Sequence, residues 1–261
     1  MKKGLVDTPV YIYGDSYADL SHNSNRSIKH ETWLTMLKKK FPNTTVYGKA
    51  GTGPENQLLK LQKNVKNYHK DSVLIFFVSD PLRFSLVDLY KSESQEYALA
   101  NGQFEEYDSL TKWQKLFLKH IILHYQSPEL NALRYAYIYS TIFALHEKFS
   151  NILIWPCFDT REFLDSSLGL GLFLSQPKNV TVVRKDLHTL SLQEFNDEKS
   201  QRYVYEENWP DARANHFSAA NHEIIYNEVT KWILDPSHMI NIHNFKKGII
   251  RYDSNVISNG S

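Results

Sequence analysis

Between Ser72 and Val78 the chain reads Ser-Val-Leu-Ile-Phe-Phe-Val, an almost wholly apolar run. A strand with one wet face alternates apolar and polar residues, whereas a strand covered on both faces does not. Strands of the second kind belong to parallel sheets packed between helices. This run therefore predicts an α/β chain with a sheet buried on both sides.

The rest of the chain supplies what such a sheet needs. Val10-Tyr-Ile-Tyr13, Thr44-Thr-Val-Tyr47, Asn151-Ile-Leu-Ile-Trp155 and Val180-Thr-Val-Val183 read as further strands. Between them lie helical patterns. Ser27 to Lys40 carries Ile28, Trp33, Leu34 and Leu37, with Lys38, Lys39 and Lys40 in its last turn, as suits a helix C-terminus. Another helix follows Gly53-Pro54, with Leu58, Leu59, Leu61 and Val65 as its apolar positions. Two more are expected over about 110–125 and 129–149, separated by Ser127-Pro128, and the last over Asn221 to Leu234. The βαβα order predicts one flavodoxin-like, three-layer α/β/α domain over residues 1–236. Residues 237–261 have no readable period and form a C-terminal extension.

Composition narrows the function classes. Lys and Arg total 30 against 29 Asp and Glu, so no global field draws nucleic acid or an anionic membrane. The single cysteine, Cys157, excludes an intrachain disulfide and a multi-cysteine zinc site. No run approaches the ~18 apolar residues of a membrane span. Two lysines near the N-terminus precede no apolar stretch, so the expected location is the cytoplasm. No cofactor or metal is implied. His120 and His124 share a helical metal-pair spacing, but Ile121 stands where a zinc protease has Glu.

The chemistry gathers at strand ends. The first strand runs directly into Gly14-Asp15-Ser16-Tyr17, which leaves Ser16 where doubly wound sheets hold their reactive groups. A serine hydroxyl becomes a nucleophile only beside a base. Asp211-Ala-Arg-Ala-Asn-His216, just before the last helix, supplies a candidate base in His216 and a carboxylate in Asp211. The bland alternatives are a turn serine and a helix-cap histidine. His222 reads as structural, Asp15 as orienting the nucleophile loop, and Cys157 as a small buried hydrophobe.

Taken together, these blocks resemble the SGNH/GDSL hydrolase family. Gly14-Asp15-Ser16-Tyr17 matches the nucleophile block, Tyr47-Gly48-Lys49-Ala50-Gly51 the glycine block, and His216-Phe-Ser-Ala-Ala-Asn-His222 the histidine block. The resemblance implies Ser16 as nucleophile and His216 as base. It also implies an oxyanion hole from the backbone N–H groups of Ser16 and Gly51. Two positions depart from the family pattern. Ser79, in Phe77-Val78-Ser79-Asp80, stands where the family has an oxyanion Asn, and its hydroxyl is expected to be the third donor of the oxyanion hole. Asp211 lies five residues before His216, where the family spaces its Asp by three. A triad with Asp211 and a Ser–His dyad held by a backbone carbonyl both stay open. Arg83 is a candidate contact to an anionic part of a substrate.

The expected function is hydrolysis of carboxylic esters through an acyl-enzyme. By resemblance, the substrate is a small molecule or glycan carrying small O-acyl groups such as acetyl. An O-acyltransferase on the same machinery and a binding protein with a decayed site are the rival readings.

Overall fold

The computed structural model describes residues 7–20, 31–49, 52–80, 83–87, 94–98, 111–113, 115–116, 127–191, 217 and 219–246. In chain order the elements are β1 (Val10–Tyr13), α1 (Trp33–Lys40), β2 (Thr44–Val46), α2 (Pro54–Asn64) and β3 (Val73–Val78). A hairpin of β4 (Arg83–Val87) and β5 (Ser94–Ala98) follows, then α3 (Pro128–Ala144) and β6 (Asn151–Pro156). The chain continues through α4 (Arg161–Leu164), α5 (Ser167–Leu174), β7 (Val180–Val182), α6 (Leu187–Ser191) and α7 (Ala219–Leu234).

Five strands form one all-parallel sheet in the order β2-β1-β3-β6-β7. That is the doubly wound order of flavodoxin-like folds, with its switch point between β1 and β3. Val10 pairs with Val73 and Ile12 with Ile75, while Phe77 pairs with Trp155 across β3 and β6. The antiparallel β4–β5 ribbon stands apart from this sheet.

Because β3 is central, its side chains enter two cores in alternation. Val73, Ile75 and Phe77 join Val10, Ile12, Leu153 and Trp155 beneath α1 and α7, which contribute Trp33, Leu34, Leu37, Ile225, Val229 and Trp232. Leu74, Phe76 and Val78 join Ile152 and Ile154 beneath α2 and α3, which contribute Leu58, Leu61, Tyr135, Ile138, Tyr139 and Ile142. Burying each large side chain contributes roughly 1.5–3 kcal/mol, so the two layers hold the sheet from both sides. The result is the three-layer α/β/α arrangement expected from the sequence.

Caps set the helix starts. Thr32 Oγ1 accepts from the Thr35 N–H and begins α1, so the helix opens at Trp33, while the expected start at Ser27 lies outside the described residues. Ser127 Oγ accepts from the Leu130 N–H, with Pro128 in the first turn of α3, as the dipeptide predicts. That helix ends at Ala144, and a 3₁₀ turn over His146–Lys148 leads to β6. Much of the tyrosine content is core packing. Tyr11 stacks on Tyr68, and Tyr13 on Tyr47. Burial pushes the Tyr13 hydroxyl, bonded to that of Tyr68, up to about 12.

Sequence periodicity misses the β4–β5 hairpin and the short helices α4, α5 and α6. Gly169 and Gly171 lie inside α5, so they belong to no nucleotide loop. Beyond α7 the chain folds back to residue 246. Glu228 accepts from Lys231, His238 and the Asn241 N–H, and Asn221 bonds both backbone groups of Lys246. Phe245 enters the core on that side.

Candidate functional site

β1 ends at Tyr13, and the next residue is glycine because the chain there passes too close to β3 for any side chain. A Cβ there would lie 2.7 Å from Phe77 Cβ and 3.0 Å from Ala18 Cβ. Asp15 then caps a single 3₁₀ turn, Ser16–Ala18, by accepting from the Tyr17 N–H at 3.0 Å. This sets Ser16 at the C-terminal edge of the sheet, 7% exposed.

The loop after β2 packs onto that turn. A Cβ at Gly48 would fall 2.0 Å from the Ala18 carbonyl oxygen, so only glycine allows the approach. The Lys49 N–H donates to Gly14 O at 3.2 Å, and Thr52 Oγ1 donates to Lys49 O at 2.7 Å. The loop opens into α2 at Pro54. Gly51, assigned to the oxyanion hole by sequence, lies outside the described residues.

Asp15 is fully buried and joins three strand ends. Its Oδ2 accepts from Ser79 Oγ at 2.8 Å, at the end of β3. Its Oδ1 takes the Tyr17 N–H and lies 3.5 Å from Cys157 Sγ, just after β6. The single Ser79 proton is thus directed to Asp15. Ser79 can donate to an oxyanion only by releasing that carboxylate. Cys157 is buried as expected, and it also supplies a weak thiol donor. This carboxylate-centred network has no local sequence signal, because its members are far apart in the chain.

Asp211 and His216 lie outside the described residues. Phe217, the residue after His216, is buried, with its ring centroid 4.9 Å from that of Tyr17, the residue after Ser16. His222, in the first part of α7, is also buried. Its Nδ1 accepts from the Trp33 N–H at 3.3 Å, satisfying a donor at the start of α1. Trp33 Nε1 in turn donates to Tyr17 O at 3.0 Å. His222 thus ties α7 to the start of α1.

Arg83 begins β4, but its side chain lies outside the described set. Asp159, also at the strand-end edge, is bonded to Arg161, and this contact holds its carboxyl below the usual range. His120 and His124 lie outside the described residues. Among the described residues, no group of three His, Cys, Asp or Glu is placed to hold a metal. No described helix is long and apolar enough to cross a membrane.

Comparison of the chain with protein-family models, with curated proteins and with solved structures returns no match. The class is therefore defined by architecture: an α/β/α domain with a serine-bearing turn at the carboxyl edge of its parallel sheet.

Proposed function

We propose that the protein is a serine hydrolase acting on carboxylic esters, with small O-acyl groups on carbohydrate as the substrate class. The observation that carries this reading is the Tyr17–Phe217 ring contact. Neighbouring Cα atoms are 3.80 Å apart. Packing Tyr17 on Phe217 therefore sets the residue that follows Ser16 in sequence against the one that follows His216. The placement of Ser16 at the carboxyl edge of the sheet adds support, since that edge is where such folds bind ligands.

In this reading Ser16 Oγ attacks the ester carbonyl while His216 takes its proton. The backbone N–H groups of Ser16 and Gly51 hold the oxyanion. His216 then returns the proton to the departing alcohol, leaving an acyl group on Ser16. Water, deprotonated by the same imidazole, cleaves the acyl-enzyme and releases the acid. Asp211 orients the imidazole. Ser79 acts chiefly through Asp15, steadying the turn that carries the nucleophile.

One observation favours the binding-protein reading: the Ser79 hydroxyl is engaged by Asp15, so a side-chain oxyanion donor is missing from its expected task. Loss of such a donor costs about 10²–10³ in turnover, which weakens catalysis without abolishing it. The deciding experiment is hydrolysis of p-nitrophenyl acetate with fluorophosphonate labelling, on wild type beside Ser16→Ala. The hydrolase reading expects turnover and one adduct per chain, both lost in the variant. Labelling that survives Ser16→Ala overturns the nucleophile, and absence of turnover of any small ester favours the binding protein.

A further inference from the structure

Beside Ser79-Asp80, the junction of α2, α3 and α4 holds more buried polar atoms than the fold satisfies. Arg134 Nε donates to Glu55 Oε1 at 2.6 Å, and Arg134 Nη2 lies 2.5 Å from the same oxygen. Glu55 Oε2 is left closed from solvent without a hydrogen-bond partner. Asn131 Oδ1 and the Tyr135 hydroxyl, one turn apart on α3, are in the same condition. So is Thr160 Oγ1, immediately before α4. Phe163, within α4, stacks on Tyr135 with centroids 5.6 Å apart, which brings Thr160 to the same corner. Burial, and next the charge of Asp80, push the Tyr135 hydroxyl well above its ordinary value, which sets that hydroxyl near the end of β3.

Each such atom forfeits the hydration it had in the unfolded chain without a replacement, and native folds carry few of them. Four at one corner of the carboxyl edge point to a missing binding partner. Their chemistry restricts it. A glutamate oxygen and an amide carbonyl only accept, while two hydroxyls both donate and accept. The partner must therefore bring several O–H or N–H donors. Arg134 already balances the Glu55 charge, which favours neutral hydroxyls over an ammonium.

We propose that this junction is a subsite for a polyhydroxylated group, the alcohol portion of the ester in the reading above, on which this inference rests. Ligand hydroxyls donate to Glu55 Oε2 and Asn131 Oδ1 and exchange hydrogen bonds with Tyr135 and Thr160. β4 lies against α2, whose first turn carries Glu55.

The test uses the full chain, with cellotriose as the neutral probe. Saturation-transfer NMR is recorded on wild type, Tyr135→Phe and Asn131→Ala, with circular dichroism confirming each fold. The wild type should show transfer that both variants weaken. With acetylated cellotriose as substrate, the variants should raise KM about tenfold, a loss of 1.4 kcal/mol, at nearly constant kcat. If Asn131→Ala fails to fold, Tyr135→Phe alone decides. No transfer to the wild type, equal transfer to all three proteins (a corner filled by water alone), or preferred binding of a simple ammonium such as choline overturns the subsite. Binding without ester turnover keeps the subsite and removes the hydrolase. Turnover of p-nitrophenyl acetate without binding does the reverse.

Discussion

Ser79 Oγ donates to Asp15 Oδ2 at 2.8 Å, joining the end of β3 to the turn that holds Ser16. The carboxylate is fully buried, so the bond is costly to remove. Ser79→Ala should destabilise the fold by about 1–3 kcal/mol, measured by urea unfolding. It should also lower kcat with KM nearly constant, because the turn carrying Ser16, the proposed nucleophile, loses a tether. Ser79→Thr keeps the hydroxyl and should recover much of both. Wild-type stability in Ser79→Ala would show that the bond does not hold the turn.

Gly48 offers a sharper geometric test. An added methyl would meet the Ala18 carbonyl oxygen at 2.0 Å, and backbone on both sides leaves no flexible group to yield. Gly48→Ala should cost at least the ~1–3 kcal/mol of ordinary overpacking and should slow fluorophosphonate labelling of Ser16. Unchanged labelling and unfolding midpoint would mean that the two loops do not press on each other.

The histidines separate by role. His222→Ala removes the acceptor for the Trp33 N–H and should cost about 0.5–2 kcal/mol, as capping losses do, with modest loss of activity. His216→Ala should leave stability near wild type and cut activity by ~10³ or more. Equal losses of activity in two folded variants would reassign the base.

Acid titration tests the return segment after α7. Burial raises the Glu228 pKa, but bonds from Lys231, the Asn241 N–H and His238 outweigh it and hold the carboxyl below its usual value. A depressed folded-state pKa gives stability that is fully present above the unfolded value of about 4.3 and is lost as pH falls through the lower folded value. Glu228→Gln should therefore be less stable than wild type at pH 7, by about 1–3 kcal/mol. The gap should close below about pH 4. A pH-independent gap would remove the ionic account.

Local signals carried much of this fold. The uniform apolarity of β3 announced a sheet covered on both sides, and Ser127-Pro128 marked the start of α3. α5 was hidden because Gly169 and Gly171 lower helix propensity, while its support is tertiary: Phe173 packs against Tyr139, Phe143 and Phe163. At the site, the strand–turn context of Ser16 could be read from neighbours. The partners of Asp15 could not, since Ser79 and Cys157 reach it only after the sheet has formed. Gly51, Asp211 and His216 lie outside the described residues, and their roles rest on sequence resemblance.

Trp33 joins Tyr17 on one side to His222 on the other, across 189 residues of chain between the last two contacts. During synthesis, β1, α1 and β3 emerge long before α7. Until residues 219–234 arrive, the sheet face bearing Val10, Ile12, Ile75 and Phe77 lacks the cover of Ile225, Val229 and Trp232. A nascent chain halted before α7 therefore presents an apolar face to the ribosome exit and to its neighbours, an invitation to chaperone capture or aggregation. Such long-range closure also slows folding. The turn bearing Ser16, among the first segments made, acquires its final setting only when one of the last helices docks.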